Sequence, residues 1–424
     1  MNAEQRMKWF HDARFGIFVH WGLYSLLGQG TWVMNHARIP RSEYAKLANR
    51  FKPAKFDARA WAGLAAECGA RYMVFTTRHH EGFCMFDSQV SDFTSVKTAA
   101  KRDFVAEYVE ACRAAGLRVG FYYSLLDWRF PGYFERERYQ DNAEAMVQQA
   151  HDQVRELLTN YGQIDLLWFD GHWFQDHFEW CREKPEVLAQ FWRSQELLDM
   201  MRRLQPHIVI NDRTGLPGDY DTPEQHVTAS RQGRPWETCQ TIGDFWESWC
   251  YQRFTPRPSR KTVHQLIIQL ATAAGRAGSL LLNVGPKPDG TFPKEDAKRL
   301  EGIGKWMRVN GEAIYGSQRV PFSPEIYLAC GLMALKGNTG YLLLPCWPGR
   351  ELVVSRVGVP VKTATFLATR EQIKTRLGSD GRLFLLNLPK TPPDPYVTVI
   401  KLEFDGPFSA FHDVDRGAWV NGHV

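Results

Sequence analysis

The sequence predicts a (β/α)8-type, TIM-like barrel over residues 1–320, followed by a C-terminal antiparallel β-sandwich over 321–424. Three observations carry this. From residue 14 to about 286, short apolar runs alternate with amphipathic helical segments, the pattern of a parallel sheet with right-handed crossovers. The first apolar run, FGIFVHWG, is followed by LYSLLGQG and not by the glycine-rich phosphate loop that opens a doubly wound fold. After Gly316 the helical period stops, and short alternating strands with turn signals take over across 325–405.

Within the first region the expected strands are Gly16–Trp21, Arg71–Thr77, Arg118–Ser124, Ile164–Asp170, His207–Asn211 and Ser279–Val284. Two of the eight have no clear signal, and Trp236–Gly243 is the candidate for one of them. Asp57 caps a helix that buries Trp61, Leu64, Ala65 and Cys68, and Gly69 closes it. Asp103 opens a second through Phe104, Tyr108, Val109 and Cys112, which Gly116 stops. A longer helix carries Met146, Val147, Ala150, Val154, Leu157 and Leu158, and Thr262–Ala274 and Lys294–Val309 supply two more. In the second region Gly340–Pro345 and Glu351–Gly358 read as strands. Arg382–Leu388 follows a Ser379-Asp380-Gly381 hairpin turn. In the last strand Ile400, Leu402 and Phe404 alternate with Lys401 and Glu403.

Composition narrows the function. A net charge of +5, spread over 424 residues, does not indicate nucleic acid or an anionic membrane as a partner. No apolar stretch reaches the roughly 18 residues of a membrane span. The eight cysteines fall singly, with no CxxC pair, which argues against a zinc site or a disulfide framework. The start, MNAEQRMKWFHDARFG, lacks the apolar core of a signal peptide, so a cytoplasmic location is expected for a chain without an upstream leader. Aromatic residues make 13% of the chain, 15 of them Trp. Most belong to the core, but flat Trp faces also cover the apolar faces of sugars.

The chemical candidates gather at strand ends. LLWFDG places Asp170 at the end of a buried run, where an unpaired carboxylate costs several kcal/mol and where α/β folds put their chemistry. Capping the next helix is the competing role. Trp168, two residues earlier, shares its face. His79 and His80 in TTRHHEGF are adjacent, so on a strand they would face opposite sides. Their position favours substrate hydrogen bonds over chelation. His20 in VHWG ends the first strand likewise. Arg213 in NDR has a fork suited to oxygen pairs, or to a plain ion pair with Asp212. Thr222-Pro223-Glu224 also has the chemistry of a helix start. Glu237 begins the Trp236–Gly243 candidate. Paired carboxylates among aromatics, with no metal spacing and no cofactor motif, suit glycoside hydrolysis.

VHWG, RHHEGF, YYSLLDW, LLWFDG, NDR, DYDTPE, PWETC and SLLLNVGPKPDG occur here in the order found in the α-L-fucosidases of glycoside hydrolase family 29. The resemblance spans about Trp9 to Tyr315, and the segment SDGRLFLLNLPKTPPDPYVTVIKLEFDG is similar to that family's C-terminal sandwich. It implies an exo-acting, retaining α-L-fucosidase that needs no cofactor and no metal and acts on a fucosylated oligosaccharide or glycoside. Asp170 matches the family's nucleophile. Glu224 matches the better-supported acid/base position, with Glu237 as the alternative. The sugar-binding positions map to His20, Trp32, His79, His80, Tyr123 (or Tyr122), Trp168 and Arg213.

The chain departs from the family at one point. Relatives commonly carry Glu-Trp where this sequence has Thr31-Trp32, and that Glu resembles a ligand of the sugar hydroxyls. Losing a charged hydrogen bond costs roughly 1.5–3 kcal/mol, so Thr31→Glu is expected to improve fucoside binding. A preference for another 6-deoxy or galacto-configured sugar is the alternative within the family. A metal-dependent barrel hydrolase and a non-catalytic carbohydrate-binding protein are the alternatives outside it.

Overall fold

The computed structural model describes residues 1–176, 179–180, 184–229, 231, 233–244, 247–253, 260–321 and 328–411. Cys181 and the first residues of the 325–405 region lie outside them. By compactness the chain forms two units, each drawn from two stretches of the sequence. One is Met1–Thr262 with Ser279–Gly304; the other is Val263–Gly278 with Lys305–Val424.

The main sheet of the first unit has seven strands among the described residues: β1 Phe15–Val19, β2 Tyr72–Arg78, β3 Arg118–Ser124, β4 Leu166–Asp170, β5 Val209–Ile210, β6 Glu237–Thr241 and β7 Ser279–Val284. They form one sheet in the order β5-β4-β3-β2-β1-β7-β6, every pair parallel. Each expected strand is present, with ends displaced by no more than two residues. The helices Ala58–Glu67 and Phe104–Ala114 carry the caps read from the sequence, Asp57 accepting from the Arg59 and Ala60 amides and Asp103 from Ala106.

A closed ladder of eight strands is not among the described elements. The edges β5 and β6 are short, and residues 219–225 run between them. Single parallel bridges join Asn211 to Tyr220, Asp221 to Trp236 and Glu224 to Cys239. The run is anchored at Asp219, whose carboxylate accepts from Arg6 at 2.7 Å, Arg202 at 2.5 Å and the Ile210 amide at 2.9 Å.

Residues two apart share a face of a strand, and the register stacks them. Tyr122 pairs with Trp168 and Ser124 with Asp170; Phe18 pairs with Val74; Cys239 pairs with Leu281. Phe18, Tyr72, Val74, Tyr122, Leu166, Trp168, Val209, Tyr220, Cys239 and Leu281 form one buried cluster, joined by Met7, Phe10 and Ala13 from the helix Ala3–Ala13. Gly16 makes room for it, since a Cβ there would fall on the Tyr72 ring. One step towards the strand ends, the same face changes from apolar to polar: His20, Thr76, Ser124, Asp170, Thr241 and Asn283.

In the second unit a five-stranded antiparallel sheet runs Gln318–Arg319, Leu332–Lys336, Thr339–Leu344, Thr398–Phe404, Val361–Phe366. A three-stranded one runs Glu351–Val354, Leu383–Leu386, Lys374–Leu377. Leu342, Leu344, Ile400 and Leu402 from the first share a core with Val354, Leu383 and Leu385 from the second, so the two sheets make a β-sandwich. The helix Val263–Gly275 belongs to this unit, with Leu332 lying against Gly275.

Candidate active site

Asp170 ends β4 and is buried, with its side chain 12% exposed. Burial requires partners, and it has them: the Tyr122 hydroxyl donates to Oδ2 at 2.8 Å and Arg213 Nη1 to Oδ1 at 3.0 Å. The β4 backbone would lose its ladder here, because β5 stops at Ile210. Asn211 replaces it, its side-chain oxygen accepting from the Phe169 amide and its NH2 donating to the Phe169 carbonyl. That clamp fixes the residue before Asp170.

Arg213 donates through Nη2 to Glu224 Oε2 at 2.8 Å and through Nε to Thr222 at 3.0 Å, while its guanidinium lies over the Trp168 ring at 4.5 Å. Burial works against its charge, yet Glu224 and Asp170 hold its pKa well above the ordinary value. One guanidinium therefore bridges the two carboxylates.

Burial depresses the pKa of His20 and of His80 well below the ordinary imidazole range, with neighbouring histidines adding to it. Both are neutral at pH 7. The Asn283 NH2 donates to the Trp249 carbonyl, so its oxygen faces His20 Nδ1 at 2.6 Å and must accept. The Ser124 hydroxyl donates to the Leu126 carbonyl, leaving its oxygen to accept from His80 Nδ1 at 2.7 Å. In both rings Nε2 is then the bare acceptor. His80 Nε2 stands 3.7 Å from Asp170 Oδ2.

His79 and His80 do not face opposite sides, contrary to the strand reading. β2 ends at Arg78 with a register shift between Thr76 and Arg78, so the alternation has stopped before the pair. Both rings are buried, their centroids 4.1 Å apart, and His79 stacks on Tyr122.

A pocket of about 610 Å³ gathers Phe18, His20, Thr31, Trp32, His36, His79, His80, Tyr122, Trp168, Asp170, His172, Trp173, Leu188, Arg213, Glu224, Gln225, Glu247 and Trp249. Seven of the predicted positions are therefore brought together with Glu224 or Asp170: His20, Trp32, His79, His80, Trp168, Arg213 and the alternative Tyr122. Tyr123 is corrected. It sits one step out of register, donates to Gln153 at 2.8 Å and lies under the Arg78 guanidinium. Glu237 is also outside the pocket lining. It is buried beneath it, accepting from Tyr72, Trp168 and Tyr220, and burial pushes its carboxyl up to about 7. Glu224 begins no helix; it is a bridged residue whose side chain is 41% exposed at the mouth.

Trp249, Trp173, His172 and Glu247 were not singled out in the sequence. The first two follow from the aromatic excess, whereas nothing in GDFWESWC distinguishes Glu247 as a pocket acid. A second cleft of about 630 Å³, against Arg38, Arg41, Trp128 and Phe134, has only Glu135 as an acid and holds no carboxylate pair. Among the described residues no group of three or more His, Cys, Asp or Glu is placed to hold a metal ion, and no helix is long and apolar enough to cross a membrane.

Comparison with known proteins agrees with this geometry. The family profile described as alpha-L-fucosidase matches residues 1–312. The bovine tissue alpha-L-fucosidase is 30% identical over 419 residues, covering 91% of this chain and 85% of the relative. The human plasma enzyme is 31% identical over 360 residues, covering 77% and 74%. Among solved structures, alpha-L-fucosidase isoenzyme 1 from Paenibacillus thiaminolyticus superposes with a TM-score of 0.83 at 35% identity, over 95% of this chain and 99% of that one. A GH29 alpha-L-fucosidase from Bacteroides thetaiotaomicron, trapped as a covalent intermediate with 2-fluoro-fucosyl fluoride, gives 0.85 at 29% identity, over 94% and 96%.

Proposed function

The chain belongs to the α-L-fucosidase family, glycoside hydrolase family 29, and from that premise we propose Asp170 as the nucleophile and Glu224 as the general acid/base. It is a retaining α-L-fucosidase, which releases terminal L-fucose by double displacement through a covalent glycosyl-enzyme intermediate. The observation that carries our assignment of roles is one guanidinium, Arg213, bonded to a buried aspartate and to an exposed glutamate.

In the first step an Asp170 oxygen attacks C1 of fucose while the C1–O bond to the leaving group breaks. The departing oxygen takes a proton from Glu224. In the second step Glu224 takes a proton from water, whose oxygen attacks C1 and releases Asp170 with its electron pair. The asymmetry of the site suits this division. Asp170 is held on a strand end by Tyr122 and Arg213, away from bulk water. Glu224 reaches the mouth, where leaving groups and water pass. Glu237 is the weaker candidate, because its carboxylate is engaged by Tyr72, Trp168 and Tyr220 beneath the sugar site. The bare Nε2 acceptors of His20 and His80 suit hydroxyl donors, and Trp32, Trp168 and Trp249 supply apolar faces.

The same reading extends to the fold. We propose that Tyr220–Glu224 takes the eighth strand position of a (β/α)8-type barrel through its bridges to Asn211, Trp236 and Cys239, with catalysis carried within residues 1–320.

Asp170→Gly tests the assignment. It should lower kcat for aryl α-L-fucosides about 10⁴-fold or more, and added azide should restore turnover with formation of the β-fucosyl azide. Substantial unassisted activity in the folded variant would remove Asp170 from the role.

A further inference from the structure

One acid in the pocket has no part in the two displacements. Glu247 is 4% exposed, and no side chain donates a hydrogen bond to either of its carboxylate oxygens. His36 Nδ1 stands 3.5 Å from Oε1. Burial lowers the His36 pKa, so that ring is neutral at pH 7 and does not compensate a negative charge. Burial also pushes the Glu247 carboxyl up to about 7, the backbone N–H groups of Trp32 and Thr31 offsetting it only in part.

A buried acid that only backbone N–H groups help to hold is costly to keep. Space is nevertheless made for it. Gly30 has φ +102°, and a Cβ there would fall on Glu247 Oε2, so the loop before Thr31 is shaped around this side chain. The carboxylate reaches the same pocket as Asp170 and His80, with Trp32 and Trp249 also on its lining. Thr31 on that lining offers only a short neutral hydroxyl. What would complete a carboxylate that no side chain binds, beside aromatic faces, is a pair of hydroxyl donors on a small ring.

We propose that Glu247 is a specificity-determining residue, which accepts hydrogen bonds from ring hydroxyls of the bound fucosyl unit. This rests on the fucosidase reading of the pocket. It makes the loop 247–253 part of the sugar site and gives the missing charged acceptor at Thr31 a substitute from elsewhere in the chain. Charge-assisted bonds of this kind distinguish a sugar that presents the hydroxyl from one that lacks it, because the acceptor is otherwise left unpaired.

The test uses Glu247→Gln and Glu247→Ala in the full chain. With an aryl α-L-fucoside, kcat/KM should fall roughly 10- to 100-fold, mainly through KM, since the bond exists before the transition state. Thermal stability should hold or rise, because an uncompensated buried acid has been removed; a merely structural Glu247 would show the reverse. With singly deoxygenated aryl fucosides, the wild type should lose a similar factor on at least one member. On that member Glu247→Gln should lose little more. Unchanged kcat/KM in folded variants, or an equal penalty on every deoxy substrate, would overturn this role while leaving the fucosidase assignment standing. A wild type inactive on all aryl fucosides would overturn both.

Discussion

Arg213 sets the two catalytic carboxylates apart by what surrounds each of them. The leaving group reaches Glu224 from the mouth, so Glu224→Ala should slow substrates with poor leaving groups roughly 10²- to 10⁴-fold and activated aryl fucosides far less. Glu237→Ala should show no such dependence on leaving-group pKa. Should the two variants exchange these patterns in a Brønsted series, the roles must be exchanged with them. Thr31 changes meaning once Glu247 is seen. Read from the sequence, Thr31→Glu would regain a lost acceptor and improve binding. In the folded pocket it places a second carboxylate near the first, and like charges brought together cost of order 1.4 kcal/mol or more. KM for aryl fucoside should therefore rise roughly tenfold, and a fall would mean that Glu247 does not reach the sugar. Most site residues were legible because they end apolar runs in recognisable motifs. Tyr122 and Tyr123 could not be separated, since which one faces inward depends on the pairing of Tyr122 with Trp168 across two strands. Glu247 was invisible for a similar reason: only the folded loop brings it to Thr31.

At the scale of elements, six of the seven strands were legible because each carries an apolar run, whereas the polar β6, Glu237–Thr241, gave only a candidate; two helices were legible because Asp57 and Asp103 announce them. The run 219–225 was not. DYDTPE has no alternation, and Thr-Pro-Glu has the chemistry of a helix start, yet the segment is held extended by three single bridges and by Asp219. Its hold on the site is direct: Thr222 and Glu224 both bind Arg213. Asp219 ties it to the helices Ala3–Ala13 and Ser194–Leu204 and to β5. Removing one partner of such a buried ion cluster costs about 3 kcal/mol, so Asp219→Ala should lower the melting temperature by roughly 3 °C for a chain of this size. It should also lower kcat, as Arg213 loses its frame. Activity and melting temperature both equal to the wild type would show that the segment is held by its bridges alone.

For the whole molecule, the site has a consequence in the pH dependence of folding. The interior of the first unit contains Glu237 beneath Trp168, and burial raises its carboxyl from 4.5 to about 7. In the unfolded chain this group releases its proton near 4.5; in the folded chain it keeps it to about 7. Between those values the folded state binds more protons than the unfolded one, so stability falls as pH rises. The favourable contribution is fully present below about 4.5, declines through the window and is gone above about 7. Its upper limit is on the order of 3 kcal/mol, equivalent to roughly 3 °C in melting temperature at this length. Glutamine at 237 keeps an acceptor for Trp168 and Tyr220 but cannot ionise. The melting temperature of Glu237→Gln relative to the wild type should therefore climb by a few degrees from pH 4.5 to pH 8. Most of that change should fall before pH 7, after which the difference should stay constant. A difference independent of pH would show that Glu237 ionises in the folded state as readily as in the unfolded one. The three donors around it, Tyr72, Trp168 and Tyr220, would then outweigh its burial, and the floor of the sugar site would carry a full negative charge under Trp168.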